Sequence, residues 1–153
     1  MMEFSSLGAF IQHVEGLSAL VEAGQHEGLA RAAAVIEKAA KARIGHYQPE
    51  VGPYPAWAPL AAATEAQKAR MGFPSDAPLL ASGAMRDNIS TEMSGNEAVI
   101  GSPDDRAVYH EFGTSKMPPR PVFGPVAFNC AEEVGQLVGG AVIASLVGKP
   151  IST

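Results

Sequence analysis

Charge is scarce in this sequence. Charged residues make up 18% of the 153 residues, against about 25% in typical soluble domains, while apolar residues make up 46%. A chain with so little charge has much apolar surface to cover, and contact with a partner subunit is one way to cover it. The balance is acidic, with a formal net charge of −5, which argues against a broad basic face for binding nucleic acid.

Cysteine and long apolar runs are also nearly missing. The single Cys130 excludes an intramolecular disulfide, is compatible with a reducing compartment, and is expected to be a small apolar filler on a helix. The most apolar run, 137–147, is about half the length that spans a bilayer. The N-terminus has Glu3 and no basic region of a signal peptide. We therefore expect a soluble protein without membrane contact, made in the cytoplasm.

Sequence signatures of catalysis are missing too. No H-E-x-x-H spacing follows the pair His110-Glu111, and neither G-x-S-x-G nor a glycine-rich phosphate loop occurs. Adjacent side chains on a helix point about 100° apart, so this pair is poorly placed to share a ligand. We predict no enzymatic activity, no cofactor and no metal. A small hydrolase that uses His110 and Glu111 is a remote alternative.

Helical periodicity dominates the first third of the chain. Apolar residues recur at three- and four-residue steps over 5–23 and again over 27–44. Gly24 lies between the two patterns, and glycine commonly follows the end of a helix. The pattern predicts two N-terminal helices, of which the second is alanine-rich and suited to close packing.

A further long helix is predicted over 125–147. Pro125 can open it at its first position, where a missing N–H costs nothing. Three glycines, Gly135, Gly139 and Gly140, weaken it locally and would allow close contact with another helix. A shorter helix is expected over 60–71.

A period of two residues occurs near the middle of the chain. Ile89, Thr91 and Met93 alternate with polar residues, and a tight Gly95-Asn96 loop returns the chain through 97–101, with Val99 facing inward. The expected fold is α+β, with two N-terminal helices and a C-terminal helix packed on a small antiparallel sheet. We expect one domain over 1–153.

Proline concentrates in two segments, 45–59 and 113–124, which cannot form helices or central strands. The first is too apolar for a flexible linker, so it is expected to lie over its own domain or over a neighbouring subunit, anchored by Trp57. The second follows an aromatic turn at 109–112 and is expected to be a stiff contact arm. Gly113 is expected to have a positive φ because the chain reverses its course there.

Three blocks together resemble a known family. They are H-E-F-G-T at 110–114 with M-P-P-R-P at 117–121 and a proline-led helix, W-A-P-L at 57–60 with Thr64 and Lys68, and the stretch 79–89. Their order is similar to that of the tail-completion, or virion-morphogenesis, family of tailed bacteriophages. The blocks span about half of the chain.

The resemblance implies a structural protein of the phage neck, which completes the tail and joins it to the DNA-filled head. The implied assembly is a homo-oligomeric ring of sixfold-related copies, in contact with a head-closure or adaptor protein and with a tail-terminator or tail-tube protein. DNA would pass through the lumen without sequence-specific binding. Assembly would take place in the bacterial host cytoplasm, with the virion neck as the final location. A tail-terminator or other minor tail protein is the nearer alternative.

The resemblance brings no catalytic residues. It implies that the Glu-Phe-Gly-Thr segment and its proline-rich sequel are assembly elements, and the Trp57 arm joins them in our prediction. Lys116 and Arg120 are equally suited to a phosphate or to a neighbour's carboxylate. The predicted interface residues are Trp57, Tyr109, Glu111, Phe112, Gly113, Thr114, Lys116, Pro118, Pro119, Arg120, Pro121 and Phe123.

Overall fold

A computed structural model describes residues 3–148 of the protein, and this part contains five helices and one two-stranded antiparallel sheet. The elements are α1 (Leu7–Arg43), α2 (Ala62–Arg70), α3 (Ala84–Asp87), β1 (Ser90–Ser94), β2 (Glu97–Gly101), α4 (Asp105–Phe112) and α5 (Phe123–Leu146). The α+β class is therefore confirmed.

The chain divides into two compact units. The first combines α1 up to Ala32, the hairpin tip Met93–Ala98 and α5 from Glu132 onward. The second contains Ala33–Glu92 and Val99–Ala131. The single domain over 1–153 stays a prediction.

The prediction of two N-terminal helices is wrong, because α1 continues through Gly24 without a break. Gly24 and Gly28 are buried against α5 in the first unit, where a Cβ at Gly28 would lie 2.7 Å from the Cα of Val138. A Cβ at Gly24 would lie 2.8 Å from the Cα of Val142. These glycines therefore allow two antiparallel helices to approach closely, and the packing offsets the roughly 1 kcal/mol that glycine costs inside a helix.

The glycines of α5 were expected to allow close contact with another helix, but they do not. Gly135, Gly139 and Gly140 each have open space where a Cβ would be, so that prediction is wrong. The close contact is made instead through the glycines of the partner helix. Helix α5 also begins at Phe123, two residues before Pro125, which the first turn tolerates because its N–H groups have no partner within the helix.

The hairpin is confirmed with its Gly95-Asn96 loop, but the inward position of Val99 is wrong. A two-residue loop places Met93 opposite Ala98 and Thr91 opposite Ile100, and residues opposite each other share a face. Val99 is accordingly 56% exposed, on the face of Glu92.

The second unit has a core of mostly small and medium side chains, together with Trp57, drawn from several segments. The short helix predicted over 60–71 is confirmed as α2, although it contributes no buried residue. Cys130 is buried on α5, as expected of an apolar filler. The buried apolar residues of this core include Ala33, Ala40, Ile44, Trp57, Ala77, Pro78, Met85, Ile89, Val122, Val126 and Cys130.

The first part of α1 presents an exposed apolar stripe, with Leu7 74% exposed. The stripe consists of Leu7, Phe10, Ile11, Val14, Leu17 and Leu20. Large apolar side chains in one row on a helix are typical of a contact surface. No helix within residues 3–148 has an apolar stretch long enough to cross a membrane.

The glycine contact between α1 and α5 gives a testable contrast. Gly28→Ala should lower the free energy of unfolding by about 1–3 kcal/mol, because its methyl group would overlap the α5 backbone. Gly16→Ala should raise it by about 0.5–1 kcal/mol, because Gly16 lies in the same helix with open space around it. Denaturant unfolding followed by circular dichroism measures both, and stabilisation by Gly28→Ala would contradict the close contact.

Candidate functional site

The carboxylate of Glu111, on α4, binds the start of α5. Its Oε2 accepts hydrogen bonds from the backbone N–H groups of Val122 (2.7 Å) and Phe123 (3.1 Å), and its Oε1 accepts one from Gly124 (2.8 Å). The first N–H groups of a helix have no partner within it and carry partial positive charge, so a carboxylate suits this position. Pro125 has no N–H to satisfy. Glu111 therefore joins α4 to α5 through main-chain atoms.

Arg120 connects the proline-rich arm to the 45–59 segment. Its guanidinium donates to the carbonyl oxygens of Ala58 (Nη2, 3.0 Å) and Pro59 (Nη2, 3.1 Å), and its backbone N–H donates to the carbonyl of His110 (2.7 Å). The residue is only 4% exposed. Neither of its side-chain acceptors carries a charge.

Trp57 completes this connection from the other side. The indole Nε1 donates to the carbonyl of Pro121 at 3.2 Å, and the side chain is buried, as expected of an anchor. Of the two courses left open for 45–59, the structure shows the segment lying over its own chain. A turn at Gly52 and Pro53 closes it, with paired bonds between Val51 and Tyr54.

The loop after α4 depends on Gly113, whose φ of 73° confirms the expected positive value. A Cβ there would lie 2.9 Å from the Met117 carbonyl oxygen and 2.9 Å from the Pro119 nitrogen. Thr114 and Met117 pair through two backbone hydrogen bonds of 2.9 and 3.2 Å. The loop is therefore closed tightly on itself at the only residue type that fits.

The expected aromatic turn at 109–112 is the last turn of α4. Asp104 caps the start of this helix by accepting a hydrogen bond from the backbone N–H of Arg106. The guanidinium of Arg106 pairs with the same carboxylate and lowers the pKa of Asp104 to about 2. Tyr109 and Phe112 project from α4 into solvent, and Phe112 is 78% exposed.

A cavity of about 400 Å³ lies in the second unit where the loops meet. Four cationic side chains line it, namely Lys68, Arg106, Lys116 and Arg120. No Asp or Glu occurs among the described residues of its lining. Its apolar walls include Leu60, Leu79, Leu80, Met85, Met117 and Pro118. We call it the cationic cavity.

His110 also lines the cationic cavity, and its pKa is lowered. Burial is the main cause, and the positive charges of Arg120 and Arg106 add to it, against a smaller opposing effect of Asp104. The buried Nδ1 has no hydrogen-bond partner among residues 3–148. The imidazole is therefore held neutral at ordinary pH in a region of positive potential.

The predicted interface residues fall into three groups. Six are exposed on α4 and its following loop, three are buried within their own chain, and three are half-buried. The exposed ones are Tyr109, Phe112, Thr114, Lys116, Pro118 and Pro119; the buried ones are Trp57, Arg120 and Pro121; the half-buried ones are Glu111, Gly113 and Phe123. The buried and half-buried groups hold the segments together, while the exposed group is free to contact a partner.

Sequence reasoning did not foresee the cationic cavity. Lys68 belonged to a block of the resemblance but had no role, and Arg106 was not considered. Their positions in sequence, on α2 and α4, give no signal that they share a cavity with Lys116. The acceptors of the Arg120 side chain are the main-chain carbonyls of Ala58 and Pro59. Every residue type has a carbonyl, so the sequence gives no indication of this contact.

In the part of the chain that the structure describes, no three His, Cys, Asp or Glu side chains are grouped to hold a metal ion. Comparison with known protein families, with curated proteins and with solved structures finds no match to this chain.

Glu111 gives the first prediction for this site. Glu111→Ala should lower the free energy of unfolding by about 2–3 kcal/mol, because three N–H groups lose their acceptor. The matched control is Glu133→Ala on α5, since Glu133 is exposed and should change stability by less than about 0.5 kcal/mol. Denaturant unfolding measures both. Equal stabilities of the two variants would contradict the role of Glu111.

Gly113 gives the second prediction for this site. Gly113→Val should displace the 115–123 arm, because the side chain would overlap Met117 and Pro119 and the positive φ costs a further 1–2 kcal/mol or so. The helices should persist by circular dichroism, while association measured by light scattering should be lost. Gly101→Val is the control, because Gly101 has open space and no positive φ. Normal association of Gly113→Val would show that the loop is not an assembly arm.

Proposed function

We propose that this chain is a structural virion protein of a tailed-phage neck, which assembles as a ring, completes the tail and joins it to the filled head. The proposed partners are further copies of the chain, a head-closure or adaptor protein, and a tail-terminator or tail-tube protein. DNA would pass through the ring without specific recognition.

One observation carries this proposal. The three sequence blocks of the resemblance are separated along the chain, yet all of them line the cationic cavity. The W-A-P-L block supplies Pro59, Leu60, Thr64 and Lys68, the stretch 79–89 supplies 79–85, and the block at 110–121 supplies His110, Met117, Pro118 and Arg120. Blocks that resemble one family in sequence thus meet at one cavity, which supports treating them as parts of one pattern.

The exposed apolar side chains support an assembly role. In addition to the stripe of α1, four large apolar side chains of the second unit are exposed, namely Val108, Tyr109, Phe112 and Phe128. On a chain with only 18% charged residues, this exposed apolar surface favours association over the monomeric state. A ring gives every copy two contact surfaces, so it can cover more than one such region.

The remote hydrolase alternative is disfavoured by what Glu111 does. Both oxygens of its carboxylate accept main-chain hydrogen bonds at 2.7–3.1 Å, so the group is held against the start of α5 in a structural role. His110 contributes its backbone carbonyl to Arg120. The side chain of Glu111 therefore has a structural role that accounts for it without catalysis.

The tail-terminator alternative differs in what its loss would do. A terminator stops the polymerisation of the tail, whereas a completion protein acts on a tail of finished length. The two roles are therefore separated by the length of the tails that accumulate without the protein.

Deletion of the gene in its phage or prophage gives the test. We expect filled heads and separate tails of normal length, with joined particles restored when the wild-type chain is supplied. Electron microscopy of the lysate and mass spectrometry of purified particles are the measurements. Overlong tails would indicate a terminator. Fully joined, infectious particles without the protein would refute the neck role.

A further inference from the structure

The positive charge of the cationic cavity is incompletely balanced. Arg120 is almost fully buried, and its described acceptors are neutral carbonyl oxygens. Lys68 donates to the carbonyl of Ala77 and has only longer-range attraction from Asp76 and Glu65. Burial of a cation without a carboxylate beside it is costly, and a bound anion would offset that cost.

The other two cations of the lining are exposed to solvent. Lys116 is exposed and forms no ion pair with a described residue. Arg106 is exposed and paired with Asp104, which lies outside the lining. The lowered pKa of His110 has Arg120 and Arg106 among its causes, which is consistent with positive potential in the cavity.

The cavity is larger and more apolar than a simple inorganic anion needs. Leucine, methionine and proline side chains form its walls. The chemistry that fits is a carboxylate carried beside apolar side chains, as in an acidic, apolar protein segment. A nucleic acid is a poor fit, since the chain is acidic overall and the walls offer no basic track.

The chain itself carries such a segment. The exposed stripe of α1 is flanked by Glu15, which follows Ile11 by four residues, and by Glu22. These two glutamates are seven residues apart and therefore lie on nearly the same edge of the helix. Both are exposed, and neither pairs with a cation of the described chain. No Lys or Arg occurs in the first 30 residues.

We propose that the cationic cavity of one copy binds the exposed N-terminal part of α1 of a second copy, with the Glu15 and Glu22 carboxylates facing the cavity's cations. The inference rests on the ring assembly of the proposed function and names its contact. Two different surfaces of the same chain meet in this contact, so it is head-to-tail. Repetition of a head-to-tail contact closes into a ring when the rotation per copy allows it.

The test uses two full-length variants with complementary defects, studied by sedimentation velocity over a concentration series. Lys116→Glu puts a carboxylate at the cavity and leaves α1 intact. Glu15→Gln combined with Glu22→Gln removes the helix carboxylates and leaves the cavity intact. Each variant alone should need at least about tenfold more protein than the wild type to associate.

An equimolar mixture of the two variants is the decisive sample. The intact helix of one meets the intact cavity of the other, so a contact of wild-type strength should return. The mixture should stop at a 1:1 complex, because the remaining helix and cavity of that pair are both defective. Wild-type association should also weaken as salt is raised from about 0.05 to 0.5 M, since exposed charges are screened.

Two control variants make the same charge changes elsewhere. Lys38→Glu alters an exposed lysine of α1 outside the cavity, and Glu50→Gln with Glu97→Gln removes two exposed carboxylates. Both should associate as the wild type does. All variants affect exposed side chains, and circular dichroism should give the same helix content for each.

Any of three results would overturn the proposal. The cavity variant and the helix variant could each associate as the wild type does, or their mixture could behave as the sum of its components. The third result is a wild-type chain that stays monomeric while inorganic phosphate or citrate saturates the cavity. These outcomes are separable from those of the gene deletion. Protein found in joined particles despite a failed mixing test would leave the neck role standing with another contact. A successful mixing test with particles complete without the protein would leave the contact and remove the neck role.

Discussion

The second unit depends on the contact between the Glu111 carboxylate and the first turn of α5. Without it, the N–H groups of Val122, Phe123 and Gly124 would lack an acceptor at a partly buried helix start. The same contact fixes the two ends of the proline-rich loop, since Glu111 precedes the loop and α5 follows it. That loop contains Arg120, which donates to the carbonyl of Ala58, and Pro121, whose carbonyl accepts from Trp57. Through these two contacts the loop holds the 45–59 segment. These contacts of Glu111, Arg120 and Trp57 therefore hold together segments that line the cationic cavity.

The elements with a strong local signal were predictable. The hairpin had both an alternating pattern and a two-residue loop, and Gly113 lay where the chain had to reverse between an aromatic turn and prolines. Trp57 was expected to be buried because it was the single large aromatic anchor in an apolar, proline-rich arm. At the hairpin loop and at Gly113 the residue type itself favours the local conformation, whereas the burial of Trp57 was expected from its size and apolar character.

The errors arose where distant packing outweighs local preference. Gly24 read as a helix end because glycine is costly inside a helix, but the contact with α5 compensates for that cost. Gly135, Gly139 and Gly140 were expected to be contact sites because they lack a side chain, but they are open positions, since the contact with α1 is made by the glycines of α1. The role of Glu111 and the grouping of four cations depend on which segments meet in space. Sequence spacing contains no such information for residues that lie on α2, α4 and the loop.

The contacts that organise the second unit share a chemical property. Glu111 binds main-chain N–H groups, and both Arg120 and Trp57 donate to main-chain carbonyls. Every residue type supplies a carbonyl and almost every one supplies an N–H, so these hydrogen bonds do not by themselves fix the residue type at the contacted positions. Three side chains thus connect segments of the second unit without a particular side chain as partner. Shared architecture of this kind is better sought among distant chains by comparing three-dimensional arrangement than by counting identical residues.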